Sequence, residues 1–406
     1  MKILHVIRTV DPRYGGPVAG VFSSAEVWAR HGHERNVACL DMIDEPWVLQ
    51  SPVKTFALGL GSPLYVALRK ILPWLRYGYS PHLTRWLKVN ARNYDAIIVN
   101  GLWNYASYGS WRVLHQLDVP YFVFTHGMLD PWFNKAYPTK TFFKNIFWRL
   151  FEHRVLRDAR GVMFTCEEER QLARESFVPY TAREHVVGYG TRDVDGDPRA
   201  QIAAFTNLIR DAKTRKLILF LGRIHPKKGI DLLIEAFARN TDDLADFDLV
   251  IAGPDDIGWQ YQLKTLANEL GVSHRVYWPG MLSGGAKWGA IRLAEFLVLP
   301  SHQENFGIVV AEAMALSKPV LITNKVNIWR EIEADHAGLV VNDDVESIAA
   351  GLRKMCAHSP EQRESMAYSA RECFRKRYDL ERNSMDLLRL LEQLSAPGPN
   401  SNGILR

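Results

Sequence analysis

The chain has 406 residues, of which 47% are hydrophobic and 23% charged, with a formal net charge of +5. That length exceeds one ordinary core and predicts two folded domains, and the composition excludes a disordered or fibrous chain. No apolar run approaches the roughly 20 residues of a membrane-spanning helix. The scattered cysteines, Cys39, Cys166, Cys356 and Cys373, show no C-x-x-C pair and no metal-ligand spacing, which speaks against a disulfide frame or a zinc site.

The N-terminal residues are apolar for too few positions to form a signal peptide and read as a first strand, 2–7. Further strands are expected at 37–40, 96–99, 121–124 and 162–164, then at 217–221, 249–252, 276–278, 296–299 and 320–323. Such β-branched runs separated by helical patterns imply parallel sheets of βαβ units. The expected architecture is α/β: two Rossmann-like doubly wound domains facing each other across a cleft, with a C-terminal helix returning to the first. The expected boundaries are 1–190 for a first domain, 191–200 for a Gly-, Asp- and Pro-rich linker, and 201–375 for a second domain. Residues 376–406 would form the returning helix and a loose tail.

Charge is unevenly placed. Residues 46–94 contain no Asp or Glu, but hold Lys54, Arg69, Lys70, Arg76, Arg85, Lys88 and Arg92 among Trp47, Tyr65, Trp74, Tyr77, Tyr79 and Trp86. A second basic-aromatic stretch, 132–157, holds Lys135, Lys140 and Lys144 with Phe142, Phe143, Phe147 and Trp148. These are either ordinary helix surfaces or a platform for an anionic membrane or a phosphate-bearing lipid. Nucleic acid is not an expected partner, because no basic-aromatic motif of a known binding module is present. The expected location is cytoplasmic, with peripheral docking on the inner face of the plasma membrane left open. The D-x-D patterns between Asp193 and Asp197 read as a solvated turn, and His31-Gly32-His33 as a helix-to-strand turn, so no metal is expected.

Two runs carry chemistry. The strand at 296–299 leads into Pro300-Ser301-His302-Gln303-Glu304-Asn305-Phe306-Gly307 and then a helix from about Ile308 that contains Glu312. In open α/β sheets ligands bind outside the carboxyl ends of the strands. Two carboxylates that accept from hydroxyls, beside a helix N-terminus that attracts phosphate, suit a nucleoside-diphosphate sugar. The strand at 217–221 likewise ends in Gly222-Arg223-Ile224-His225-Pro226-Lys227-Lys228-Gly229, where Arg223 and Lys228 can hold a diphosphate as it departs with extra negative charge. A nicotinamide dehydrogenase is disfavoured, since neither half has G-x-G-x-x-G after its first strand.

With these two runs, Thr125-His126-Gly127-Met128 and Tyr14-Gly15-Gly16-Pro17, the chain resembles a family 4 retaining glycosyltransferase of the GT-B fold over nearly its whole length. The resemblance implies that 1–190 is an acceptor-binding domain, that 201–375 is a nucleotide-sugar-binding domain, and that Glu312 binds the ribose hydroxyls. Glu304, with the backbone of Asn305, Phe306 and Gly307, would hold the sugar hydroxyls. Arg223 and Lys228 would hold the diphosphate, helped by the N–H groups of Ile308 and Val309. Gly15 and Gly16 would let backbone approach the donor phosphates, and Met281 would lie by the base. His126 would point at the sugar's 6-hydroxyl and the reaction centre, and transfer would proceed by same-face attack without a metal or cofactor. The motifs are specific to the family and not to a substrate; the expected donor is UDP-glucose, with GDP-mannose second. Given the two basic-aromatic stretches, the expected acceptor is a saccharide or a polyprenyl-diphosphate-linked carrier in bacterial surface polysaccharide synthesis. A nucleotide-sugar epimerase of the same fold is the other reading, and would need no added acceptor.

Overall fold

The computed structural model describes residues 1–61, 68, 71, 72, 75, 77–136, 138–209 and 215–395. Tyr65, Arg69, Lys70, Trp74 and Arg76 of the first basic stretch, and the tail at 396–406, lie outside the described residues.

The first unit is built on strands β1 (Lys2–Ile7), β2 (Glu34–Cys39), β3 (Lys54–Ala57), β4 (Ala96–Asn100), β5 (Tyr121–Phe124), β6 (Gly161–Phe164) and β7 (Glu184–Val186). They form one parallel sheet in the order β3-β2-β1-β4-β5-β6-β7. Every residue of β4, β5 and β6 is buried. Helices cover both faces of such a sheet, which is why its central strands are continuous apolar runs rather than alternating ones. The second unit holds β8 (Lys216–Leu221), β9 (Phe247–Ala252), β10 (Val276–Gly280), β11 (Ala294–Leu299), β12 (Val320–Thr323) and β13 (Gly338–Val341). Its sheet is also parallel, ordered β10-β9-β8-β11-β12-β13. In each sheet the order reverses beside the first strand of the unit, the switch point where α/β proteins open a ligand crevice.

The chain divides into Met1–Tyr189 together with the C-terminal helix, and Gly190–Asp379. This differs from the expected boundaries at two places. Residues 191–200 are part of the second unit rather than a free linker. Thr191 bridges Asp379, Asp193 accepts from Arg371 at 2.8 Å, and Asp197 caps the helix Pro198–Thr206 through the Arg199 and Ala200 N–H groups. The return to the first unit falls at Leu380 rather than 376. Gly190 is required where it stands, since a Cβ there would lie 1.8 Å from the Tyr378 carbonyl oxygen.

The helix Leu380–Ser395 places Leu380, Leu387, Leu388 and Leu391 in one apolar cluster with Ile3, Val27, Trp28 and Phe122. Trp28 Nε1 donates to the Ser384 carbonyl at 2.8 Å. Burying an amphipathic face in this way is what makes a terminal helix stable, because propensity alone does not.

Candidate functional site

The two sequence runs meet in the second unit. After β8, the segment from Gly222 to Gly229 turns through a short 3-10 helix, Pro226–Lys228, capped by His225, whose Nδ1 accepts from Lys227 N. Gly229 has φ +63°, and a Cβ on it would lie 2.1 Å from the Pro300 carbonyl oxygen. The glycine therefore lets this loop lie directly against the loop that follows β11. His302 N donates to the Lys227 carbonyl at 2.9 Å and seals the same approach. The result is an ion pair between Lys228 and Glu304.

Glu304 is fixed from both sides by backbone: its N–H donates to the Lys325 carbonyl and its carbonyl accepts from Asn327 N, both at 2.9 Å. Burial pushes its carboxyl upward, but Lys228, with Lys227 and Arg223, outweighs burial and holds it below the usual value. Arg223 itself is exposed. Asn305 accepts from Asn327 Nδ2 at 3.4 Å. The Phe306 ring is buried edge-on against Tyr378, which leaves only its backbone for a ligand.

Gly307, at φ +71°, caps the helix Ile308–Ala315. The first-turn N–H groups of Ile308 and Val309 have no acceptor within that helix, and its positive end is an anion site in physical terms. Glu312, buried one turn on, pairs with Lys287 at 2.7 Å. Lys287 comes from the helix Gly284–Leu293 and had no signal in the sequence. Burial raises the Glu312 carboxyl pKa, and Lys287 offsets only part of that rise. Met281 follows β10 and is 72% exposed. Arg223, Lys228, Lys287 and the helix terminus thus gather positive charge on the strand-end side of this sheet, beside two carboxylates.

The remaining expected residues lie in the first unit. Gly15 has φ +72° and caps the helix Gly16–Arg30. A Cβ on Gly15 or Gly16 would meet nothing within 4 Å, so the protein's own packing does not demand a small residue there; the backbone angle demands glycine at 15. His126 follows β5 at φ +50°, with Gly127 at +73°. This strained turn is pinned by Glu169. One carboxylate oxygen accepts from Thr125 Oγ1 at 2.7 Å and Gly127 N at 2.6 Å, the other from Thr165 N and Oγ1. The His126 ring stacks on Phe124, and its Nε2 lies 3.2 Å from Asn100 Oδ1. Burial depresses its pKa to about 4, which keeps the ring neutral near pH 7. Neither Asn100 nor Glu169 was foreseen: Asn100 ends the neighbouring strand β4, and Glu169 lies on the helix Glu167–Ser176 that follows β6.

A cavity of about 220 Å³ opens beyond β1, β2 and β3, lined in part by Thr9, Asp11, Arg13, Asp41, Glu45 and Trp47. Asp41 accepts from Thr9 Oγ1 at 2.6 Å and Val10 N at 2.8 Å. Arg13 pairs with Asp11 at 2.7 Å and lies over the Trp47 ring. Among the described residues no cluster of His, Cys, Asp and Glu could hold a metal ion.

Two parallel doubly wound units, the second with a basic strand-end loop joined to a carboxylate loop at a helix N-terminus, define the GT-B class of α/β proteins. Residues 15–190 match the family model described as glycosyl transferase 4-like domain, and 207–373 match that of glycosyl transferases group 1. The chain belongs to this family 4 type of glycosyltransferase. It is 30% identical over 230 residues to alpha-D-kanosaminyltransferase of Streptomyces kanamyceticus, a match that takes in 56% of this chain and 58% of that protein. The chain thus spans little more than half the length of that relative. In fold it is similar to sucrose-phosphate synthase from Thermosynechococcus elongatus, with a TM-score of 0.73, 18% identity and coverage of 97% and 99%. It is likewise similar to Anabaena Alr3699/HepE in complex with UDP and glucose, with a TM-score of 0.72, 17% identity and coverage of 97% and 100%.

Proposed function

We propose that the protein is a retaining hexosyltransferase that moves glucose from UDP-glucose to a saccharide or polyprenyl-diphosphate-linked acceptor in bacterial surface polysaccharide synthesis. The observation that carries this reading is the Lys228–Glu304 pair, set beside Arg223 and in front of the helix that begins at Ile308. A diphosphate takes the cations and the helix N–H groups, and Glu304 is then released toward the sugar hydroxyls. Glu312, buried and tethered by Lys287, suits a pair of ribose hydroxyls. The complex of Alr3699/HepE with UDP and glucose supports the choice of donor. His126 offers a neutral ring nitrogen to a substrate hydroxyl. The cavity of Asp41, Glu45 and Trp47 suits an acceptor sugar, with carboxylates for its hydroxyls and an aromatic wall for its apolar face.

The test is incubation with UDP-glucose and candidate acceptors, with the new linkage read by the anomeric proton. Acceptor-dependent formation of an α-glucoside is expected. Conversion of the donor to an epimer without acceptor would replace the transferase reading with the epimerase one.

Peripheral membrane contact is part of the proposal. Phe142 (63% exposed), Phe143 (71%), Ile146 and Leu150 leave an apolar strip on the surface, with exposed Lys140 and Arg149 alongside. Apolar rings among cations suit an anionic bilayer. Lys144, expected to share this role, instead lies 4.7 Å over the Trp103 ring and is partly buried. No helix among the described residues is long and apolar enough to cross a membrane. Phe142→Asp with Phe143→Asp is expected to lower sedimentation with anionic vesicles at least ~10-fold, by lost apolar burial. Equal sedimentation of the variant would remove the strip from any docking role.

A further inference from the structure

We propose that Asn100 is a positioning residue that holds the His126 ring in the tautomer protonated at Nε2, so that Nδ1 is presented as a hydrogen-bond acceptor for a substrate hydroxyl. The inference rests on the reading of His126 as a site residue and adds the chemical form in which it works.

Asn100 is the last residue of β4, and β4 pairs with β1 so that Ile7 lies opposite Asn100 and His5 opposite Ile98. Its amide nitrogen faces only acceptors: the Ile98 carbonyl at 3.2 Å, the Val6 carbonyl at 3.4 Å and His5 Nδ1 at 3.1 Å. Rotating the amide by half a turn would set its oxygen against two backbone carbonyls that carry no proton. The carbonyls therefore decide the orientation, and Oδ1 must face His126. An amide oxygen only accepts, so the His126 Nε2 opposite it must donate. A neutral imidazole has one N–H, and Nδ1 is left with its lone pair. Among the described residues Nδ1 has no hydrogen-bond partner.

The same logic fixes His5. Its Nδ1 accepts from Asn100, so its proton sits on Nε2, which is buried without a partner. Burial, then the charge of Arg35 on β2, then His126 all hold His5 well below its usual pKa, so it stays neutral. From the other side, Glu169 of the helix Glu167–Ser176 spends its carboxylate on Thr125, Gly127 and Thr165. It anchors the turn that carries His126. The ring is thus oriented by one amide, with its low pKa keeping it neutral through the working pH range.

The first experiment needs no variant. Long-range ¹H–¹⁵N correlation spectra of histidine-labelled protein, with the His126 signals assigned by their loss in His126→Gln, report the tautomer directly between pH 6 and 8. A protonated Nε2 with an unprotonated Nδ1 is expected, and a proton on Nδ1 would overturn the proposal. Asn100→Asp places a carboxylate against Nε2 and stabilises the imidazolium. It is expected to raise the His126 pKa and to move the acid limb of kcat/KM upward by about one pH unit or more, with nucleotide affinity unchanged. Asn100→Leu removes the acceptor and is expected to lower kcat ~10-fold or more through lost orientation. Wild-type turnover and pH profile in both variants would overturn the proposal. Failure of the transferase reading would show separately, as absence of transfer in a protein whose His126 tautomer is still the expected one.

Discussion

Glu304→Ala is expected to lower kcat by ~10²-fold or more in a protein that stays folded, the scale of losing one preorganised polar group at a reacting centre. The fold should survive because the loop is held by backbone: the Glu304 N–H and carbonyl bond Lys325 and Asn327, and neither bond uses the side chain. The variant also makes a second, opposite demand. In the free protein Glu304 occupies Lys228. Removing it releases that lysine, so affinity for the bare nucleoside diphosphate should be kept or should increase. Kinetics with a titrated nucleotide check both. Near-normal turnover would remove Glu304 from the site, and a collapse in nucleotide affinity would mean the residue only organises the loop.

The second large effect is expected from Arg223→Ala combined with Lys228→Ala, which should abolish detectable transfer and weaken the free nucleoside diphosphate. Arg223 is exposed, and the loop that carries Lys228 is held by backbone bonds through the Lys227 carbonyl and Lys228 N, so the fold should survive while Glu304 loses its partner. Two cations beside a helix N-terminus act most strongly when the diphosphate leaves, since charge grows on it at that step. Turnover should therefore fall further than ground-state affinity. Unchanged nucleotide affinity by calorimetry would sink the diphosphate assignment.

The parts of this site that could be read from sequence are those whose geometry is local. Gly229 and Gly307 mark positive-φ positions at loop ends, and both appear inside runs that follow an apolar strand. Lys228 and Glu304 were expected to lie together because each follows the carboxyl end of an apolar strand; that those strands, β8 and β11, are neighbours is seen only in the structure. The partners that complete the site are through-space neighbours. Lys287 reaches Glu312 from a helix with no basic pattern, and Asn100 reaches His126 from the neighbouring strand. No spacing rule connects such pairs.

The fold shows the same division. The central strands stood out as continuous apolar runs, whereas β3, β7 and β13, on the sheet edges, escaped notice. Each is short and none of their residues is fully buried, so the apolar signal that marks a covered strand is missing. The linker was misplaced for a related reason. A Gly-, Asp- and Pro-rich run resembles free chain, and the contacts with Arg371, Tyr378 and Asp379 that tie it to the second unit come from far along the sequence. Lys144 was read as surface charge because nothing in the sequence puts it over Trp103.

The central claim is that the strand-end face of the second unit binds a uridine diphosphate sugar, and calorimetric titration with UDP, GDP and ADP, paired with thermal unfolding, tests it most directly. Selective binding of UDP is expected, with ~2.7 kcal/mol of added apparent stability at ~100-fold over Kd. Binding of none of the three nucleotides, with or without acceptor present, would contradict the account.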